Sequence, residues 1–449
     1  MALNLTSEQI IALAPDASSA KAGQGLANAR HWVTLGCNDQ FVWGECQGSG
    51  KTPYQTQIDL SEPAFKCSCP SRKFPCKHAL GLFLLLANQP KSFTQTNAPQ
   101  WVEEWIASRA KRAQQQATKQ AKAAGTDNDA IVDAAAQQKR VAARNQKVTA
   151  GINELETWLG DLIRHGLASA QTQPLSFWEQ IAKRLIDAQA PGLARLVREL
   201  PGVAASGEGW PARLLERIAK LYLLVEGYKR LDTLPQDTQA DIRTMIGWTQ
   251  NQDELLSAEG IRDRWQVVGQ RVTQEDRLRV QSTWLWGSKS NRAALLLHFA
   301  YGNQPLDASL VLSTVIDAEI VFFPSAYPMR AIIKQRYATV HTLDSERDSV
   351  MGYEAIDSAI GAYAAALGRN PWIERFPFLL RNVTPERHDE HWLVRDANNA
   401  VLPIALRFEQ PWELLAVSGG HAIDLFGEWD SDHLLPLSVW AEGRFVKLI

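Results

Sequence analysis

Apolar and polar positions change rhythm several times along this 449-residue chain, and each change predicts a different kind of element. Thr6-Ser7-Glu8-Gln9 is a capping box that opens a short helix limited by Pro15. Gly23, Gly25 and the small residues between Ser18 and Ala29 predict a loop. His31–Cys37 and Phe41–Cys46 then read as strands around an Asn38-Asp39 turn, and Tyr54–Leu60 alternates as a third. Together they predict a small antiparallel sheet. The apolar run Ala79–Ala87, ended by Asn88 and Pro90, predicts a short buried helix against one face of it.

Further on, the rhythm becomes helical. Trp101–Ile106 begins a helix that passes into an Ala/Gln/Lys-rich stretch, broken at Gly125–Asp129 and resumed from Ala130 to Lys147. High alanine content favours helix but offers little to bury, so this segment reads as an exposed connector. Ile152, Leu155, Leu159, Leu162 and Ile163, and again Leu214, Ile218, Leu221, Leu223 and Leu224 on a broad face, recur at helical spacing. Prolines 174, 191, 201 and 211 cut that region into several helices, a bundle or a repeat-like array. Strand patterns follow at Trp265–Val272 and Leu278–Trp286, a hairpin around Gln274-Glu275-Asp276, and at Leu295–Ala300. Asp348–Arg369 reads as helix. His391–Val394, Trp412–Val417, Ile423–Trp429 and Leu435–Val446 read as strands. The fold class is α+β: a small N-terminal β-sheet module (1–90), a helical basic connector (91–150), an α-helical domain (151–263) and a β-rich C-terminal domain (264–449).

Composition changes this picture little: 45% of residues are apolar and 21% charged, ordinary for a globular protein. The distribution of charge says more than its net of −2. Between Ile106 and Lys147 nine basic residues face three acidic ones, whereas from Glu390 onward nine acidic residues face four basic ones. A basic front suits a polyanion; an acidic rear suits another protein, or simply solvent. No basic segment followed by a long apolar core opens the chain, and the run after His78 is too short to span a bilayer, so neither secretion nor membrane insertion is expected.

Candidate chemistry is concentrated in one place. Cys67, Cys69, Cys76 and His78 read Cys-x-Cys, a six-residue gap, then Cys-x-His, and account for three of the five cysteines. Residues i and i+2 of a strand share a face, so Cys67 and Cys69 can reach one ion from one strand. Pro70–Pro75 is a turn, and Cys76 and His78 open the helix, where unpaired N–H groups favour a thiolate. Three thiols and an imidazole are a tetrahedral zinc set. Zinc with reduced thiols indicates a cytoplasmic location. The turn would present Arg72, Lys73 and Phe74, with Lys77 nearby, to phosphate or to an acidic protein surface.

The stretch Phe65-Lys66-Cys67-Ser68-Cys69-Pro70-Ser71-Arg72-Lys73-Phe74-Pro75-Cys76-Lys77-His78 resembles the SWIM-type zinc finger, whose signature is C-x-C-x(n)-C-x-H. Asp187–Ala194 (Asp-Ala-Gln-Ala-Pro-Gly-Leu-Ala) and Gly427-Glu428-Trp429-Asp430 are similar to segments of bacterial proteins of that family. The resemblance implies Zn2+ at the four ligands and binding of protein or nucleic acid, DNA or RNA; among bacterial members it suggests an ATPase partner. It carries over no catalytic residue.

Other motifs fail their context. Gly48-Ser49-Gly50-Lys51-Thr52 lacks the first glycine of a phosphate loop and precedes a strand, so it reads as a hairpin turn. His388-Asp389-Glu390-His391 has its histidines three apart rather than four. Cys37 and Cys46 read as buried structural thiols on adjacent strands. The chain is therefore expected to be a non-enzymatic binding or adaptor protein for protein partners. The alternative is a sequence-independent nucleic-acid binder using the finger and the connector, and an enzyme in the C-terminal half is the remotest reading.

Overall fold

The computed structural model describes the chain except residues 1–4, 49, 51, 61–62, 72, 110–129, 276, 303, 338–340, 343–351 and 449, and except the side chains of 130–140, 275 and 341–342. Helix α1 (Ser7–Ala12) carries the expected reciprocal capping box between Thr6 and Gln9. The segment expected to be a loop is instead helix α2 (Ala17–Leu26), capped by Asp16. Of its two glycines, Gly23 serves helix packing. A Cβ on Gly23 would lie 2.7 Å from Leu80 Cβ, and one on Gly81 would lie 2.6 Å from Leu26 Cβ. Gly23 and Gly81 let α2 lie close against α3 (Lys77–Asn88).

Strands β1 (Trp32–Cys37), β2 (Phe41–Cys46), β3 (Tyr54–Asp59), β4 (Ala64–Cys67) and β5 (Thr94–Gln95) form a sheet in the order β4-β3-β2-β1-β5. All neighbours are antiparallel except β1 and β5. Helix α4 (100–109) packs Val102 and Trp105 on Phe41 and Trp43. Helix α5 (Ala130–Arg164) runs unbroken for 35 residues, uniting two stretches that the sequence reading kept apart. With α6 (Leu175–Asp187), α7 (Pro191–Ala204), α8 (Trp210–Lys229) and α9 (Gln236–Ile246) it encloses a core built on Leu155, Trp178, Val197, Leu224 and Ile242. A short α10 (Gln252–Ser257) leads out.

Two further sheets follow. The first has the order β10-β9-β6-β7-β8, with β6 Ile261–Glu275, β7 Leu278–Gly287, β8 Ala293–Tyr301, β9 Thr314–Phe322 and β10 Ala331–Arg336; β11 (His341–Thr342) also pairs with β9. The second, β14-β13-β12-β15-β16-β17, comprises β12 Phe376–His388, β13 His391–Arg395, β14 Val401–Pro403, β15 Ile423–Trp429, β16 Leu434–Ala441 and β17 Arg444–Lys447. Helix α11 (Ile356–Arg369) packs on it through Ala359 and Tyr363. Its expected start at Asp348 falls among residues outside those described. Trp412–Val417, read as a strand, lies in helix α12 (Pro411–Ser418), started by a proline at its first position and stopped by left-handed Gly419.

The β6–β10 sheet is the middle layer. Alternation along β6 and β7 sends Trp265, Val267 and Leu285 into one core with Leu82, Phe83 and Leu85 of α3. It sends Val268, Trp284 and Trp286 into another with Phe426 and Leu437 of the last sheet. Polar groups bridge the second seam: Trp284 Nε1 donates to Glu428 Oε1 at 3.0 Å, and Arg271 Nη2 lies 3.0 Å from Glu428 Oε2, both residues being buried. The bundle is tied to the last sheet by Trp372, which enters its core and donates from Nε1 to Lys220 O at 3.1 Å.

Candidate metal centre

The four sequence-derived ligands meet. One ligand atom from each of Cys67, Cys69, Cys76 and His78 lies within 4.8 Å of the others, and Cys67 Sγ is 3.7 Å from His78 Nδ1. A tetrahedral ion with Zn–S bonds of about 2.3 Å has ligand–ligand edges of about 3.8 Å, so this donor set fits zinc in both type and spacing. Cys67 ends β4, Cys69 lies just past the strand rather than on it, Cys76 is the N-cap of α3 and His78 stands in its first turn. Cys76 and His78 are each 5% exposed, whereas Cys67 and Cys69 are half-buried.

The electrostatics of the cluster call for a cation. Hydrogen bonding with Cys67 and Cys76 pulls the Cys69 thiol far below its ordinary value, while the same interaction with Cys67 and Cys69 pushes Cys76 far up. Burial opposes a charged His78, yet hydrogen bonding to Cys67 and Cys69 outweighs it and lifts the imidazole to about 9. Thiols this close cannot all ionise on their own; a divalent ion lets them.

Sequence reasoning missed the surroundings of the ligands. The pairing Thr56↔Cys67 places Thr56 Oγ1 3.2 Å from Cys67 Sγ, and the ring of Tyr54 lies 4.9 Å from that of His78. A metal-bound thiolate only accepts, so with zinc present the Thr56 hydroxyl donates. Alternation along Tyr54–Asp59 was visible, but the partner strand that gives Thr56 its role was not. Cys46, on the same side of the sheet through Cys46↔Tyr54, is fully buried; burial first, then the charge of Cys67, pushes its thiol up to about 11. It stays protonated beside the site.

Of the expected contact residues, Lys73 is ion-paired with Asp16 at 2.7 Å, and that lysine holds the Asp16 carboxyl down at about 2. Phe74 is 38% exposed and meets Phe65 edge-on. Lys77 is exposed, and Arg72 lies outside the described residues. Most of the basic connector, from Lys111 to Lys122, also lies outside them, as do the side chains of Lys139 and Arg140. Arg144 donates to Gly247 O at 3.1 Å and stacks over Trp248. Ser49 and Lys51 of the glycine-rich turn are likewise outside, and the turn joins antiparallel β2 and β3. His388 and His391 face each other across the β12–β13 hairpin, with no third ligand gathered among the described residues. No described helix is long and apolar enough to cross a membrane.

Residues 54–87 match the SWIM zinc finger, and residues 143–246 match the SWIM-associated four-helix bundle domain. Neither the curated proteins nor the solved structures compared with the chain give a match.

Proposed function

We propose, from the premise that this chain carries a SWIM zinc finger and the helical bundle associated with it, that it is a non-enzymatic adaptor for protein partners, held in shape by one structural zinc. The observation that carries this reading is the position of the ligands. Cys67, Cys69 and Cys76 belong to the same apolar core as Phe83 of the finger helix and Trp265 of the middle sheet. An ion held there by four protein ligands joins β4 to α3 and fixes a surface, and leaves no coordination position for a substrate water. A zinc ion held by reduced thiolates suits a reducing compartment such as the cytoplasm.

A protein partner is favoured over nucleic acid because the lysine and the aromatic ring described on the turn are already engaged. Lys73 is engaged by Asp16, and Phe74 leans on Phe65. An ATPase, the partner that the bacterial resemblance suggests, is a suitable first candidate. Affinity purification from native cells, with and without nuclease, tests the reading. A partner retained through nuclease and lost with Cys76→Ser supports it; partners that vanish with nuclease overturn it. The second reading rests on exposed Lys77 and on the basic connector: DNA or RNA affinity that falls steeply with salt, and falls further in Arg72→Glu with Lys73→Glu, would favour it.

A further inference from the structure

A cleft of about 440 Å3, open to solvent, lies where the helical bundle meets the segment 372–374 ahead of β12. Helices α7 and α8 and the end of α9 form its other walls. Leu196, Leu200, Met245 and Trp372 give it an apolar lining. The indole of Trp372 is held in place by its hydrogen bond to Lys220 O.

Four charged side chains also line the cleft, and three of them are engaged. Glu199 and Glu374 both accept from Arg195, at 2.6 and 2.5 Å. Lys220 pairs with Glu216 at 2.7 Å. Arg217 is the exception. Among the described residues it forms no hydrogen bond and no ion pair, and Glu199 feels its charge without bonding to it. A guanidinium is best met by a carboxylate, which can take two parallel N–H bonds from it. The cleft therefore offers apolar walls and one unmatched cation.

Apolar surface also continues beyond the cleft. Leu223 stands one turn from Lys220 on α8, and Leu215, Ala219 and Leu223 succeed one another at i, i+4 spacing on the outward side of that helix. All three are exposed, the leucines at 49% and 44%. A small free acid in the cleft would leave this strip in water, whereas a segment of protein can lie over both.

We propose that the cleft seats a segment of a protein partner in which a large apolar side chain stands beside a carboxylate, the side chain against Leu196, Leu200 and Trp372 and the carboxylate on Arg217. The inference rests on the adaptor reading and supplies it with a seat remote from the zinc. The apolar contact gives affinity, and the single cation fixes the direction and register of the segment.

Selection of short random peptides on the purified, zinc-loaded full chain tests this. Enriched peptides are expected to carry Leu, Ile, Phe or Trp beside Asp or Glu. Met245 is one of four methionines, so its isotope-labelled methyl group reports on the cleft by nuclear magnetic resonance and should shift when a selected peptide is added. Arg217→Ala should weaken that peptide about 10–100-fold. Arg217→Glu should abolish binding with an unchanged circular dichroism spectrum, and a peptide whose acid is replaced by lysine should bind that variant again. Peptides without the apolar and acidic pair, a Met245 signal that stays still, or equal affinity for the folded Arg217→Glu chain would overturn the proposal. Decanoate binding as tightly as the peptide would overturn it too, and assign the cleft to free acids. A cellular partner that survives nuclease and is held equally by the Arg217→Glu chain would overturn the cleft as its seat while leaving the adaptor reading intact.

Discussion

The Thr56 hydroxyl is 3.2 Å from the sulfur of Cys67, so its loss should be felt by the metal before it is felt by the fold. Replacing it with valine preserves shape and strand propensity but removes the donor. Thr56→Val is expected to weaken zinc retention by about 10–100-fold, and Thr56→Ser to restore most of it. Competition against a graded chelator measures both. Asp241 supplies a second test at this scale. Burial raises its carboxyl above the ordinary value of 3.8, against hydrogen bonds from Ser325 and from the Ala326 N–H. A folded value above the unfolded one means that the native chain holds its proton to higher pH. The site's contribution to stability is therefore full below the ordinary value and declines as pH rises through the raised one. Asp241→Asn keeps a carbonyl acceptor for Ala326 and removes the ionisation. Urea unfolding followed as pH rises above the ordinary value should lose that part of its slope in the variant.

Among the elements, the segment Asp187–Ala194 owes its character to helix packing. Pro191 starts α7, and a Cβ on Gly192 would lie 2.0 Å from the carbonyl oxygen of Met245 at the end of α9. Because the obstacle is backbone, Gly192→Ala is expected to destabilise the protein by about 3 kcal/mol, seen as a lower urea midpoint at unchanged zinc content. Elements were legible in the sequence where one local signal settled them. The capping box at Thr6 announced α1, the Asn38-Asp39 turn before Phe41–Cys46 and the alternation of Tyr54–Leu60 announced two strands, and all four metal ligands stood within twelve positions. Elements were lost where the deciding neighbour was distant. Gly23 resembled a loop because Leu80, the reason for it, was invisible. Trp412–Val417 is apolar but for Glu413 and too short for periodicity to decide, although Pro411 and Gly419 marked its ends. The strands Thr314–Phe322 and Phe376–His388 depend on β6 and β15, and no nearby turn announced them.

In the molecule as a whole, the buried pair Arg271 and Glu428 stands at the seam between the middle and last sheets. Glu428→Ala would leave the guanidinium without its carboxylate and should cost about 3–5 kcal/mol. Replacing the pair together, Arg271→Met with Glu428→Leu, should recover much of that loss; chemical denaturation of the single and double variants measures it. Zinc removal should also act beyond the finger. Leu82, Phe83 and Leu85 of α3 share a core with Trp265, Val267 and Ile316, so chelation should speed hydrogen exchange in β6 and β9 as well as in α3, while the bundle core around Trp178 stays protected.

The doubly covered middle sheet also bears on how this protein can be handled and how it can change. A fragment ending before Ile261 would carry the finger away from the surface it rests on, leaving a raw apolar wall on each piece, so neither should remain dispersed when produced alone. For the same reason, drift in the side chains of α3 has to be answered by drift in β6 and β9, far down the chain. Relatives of this protein should record such paired exchanges between positions 82–85 and 265–267.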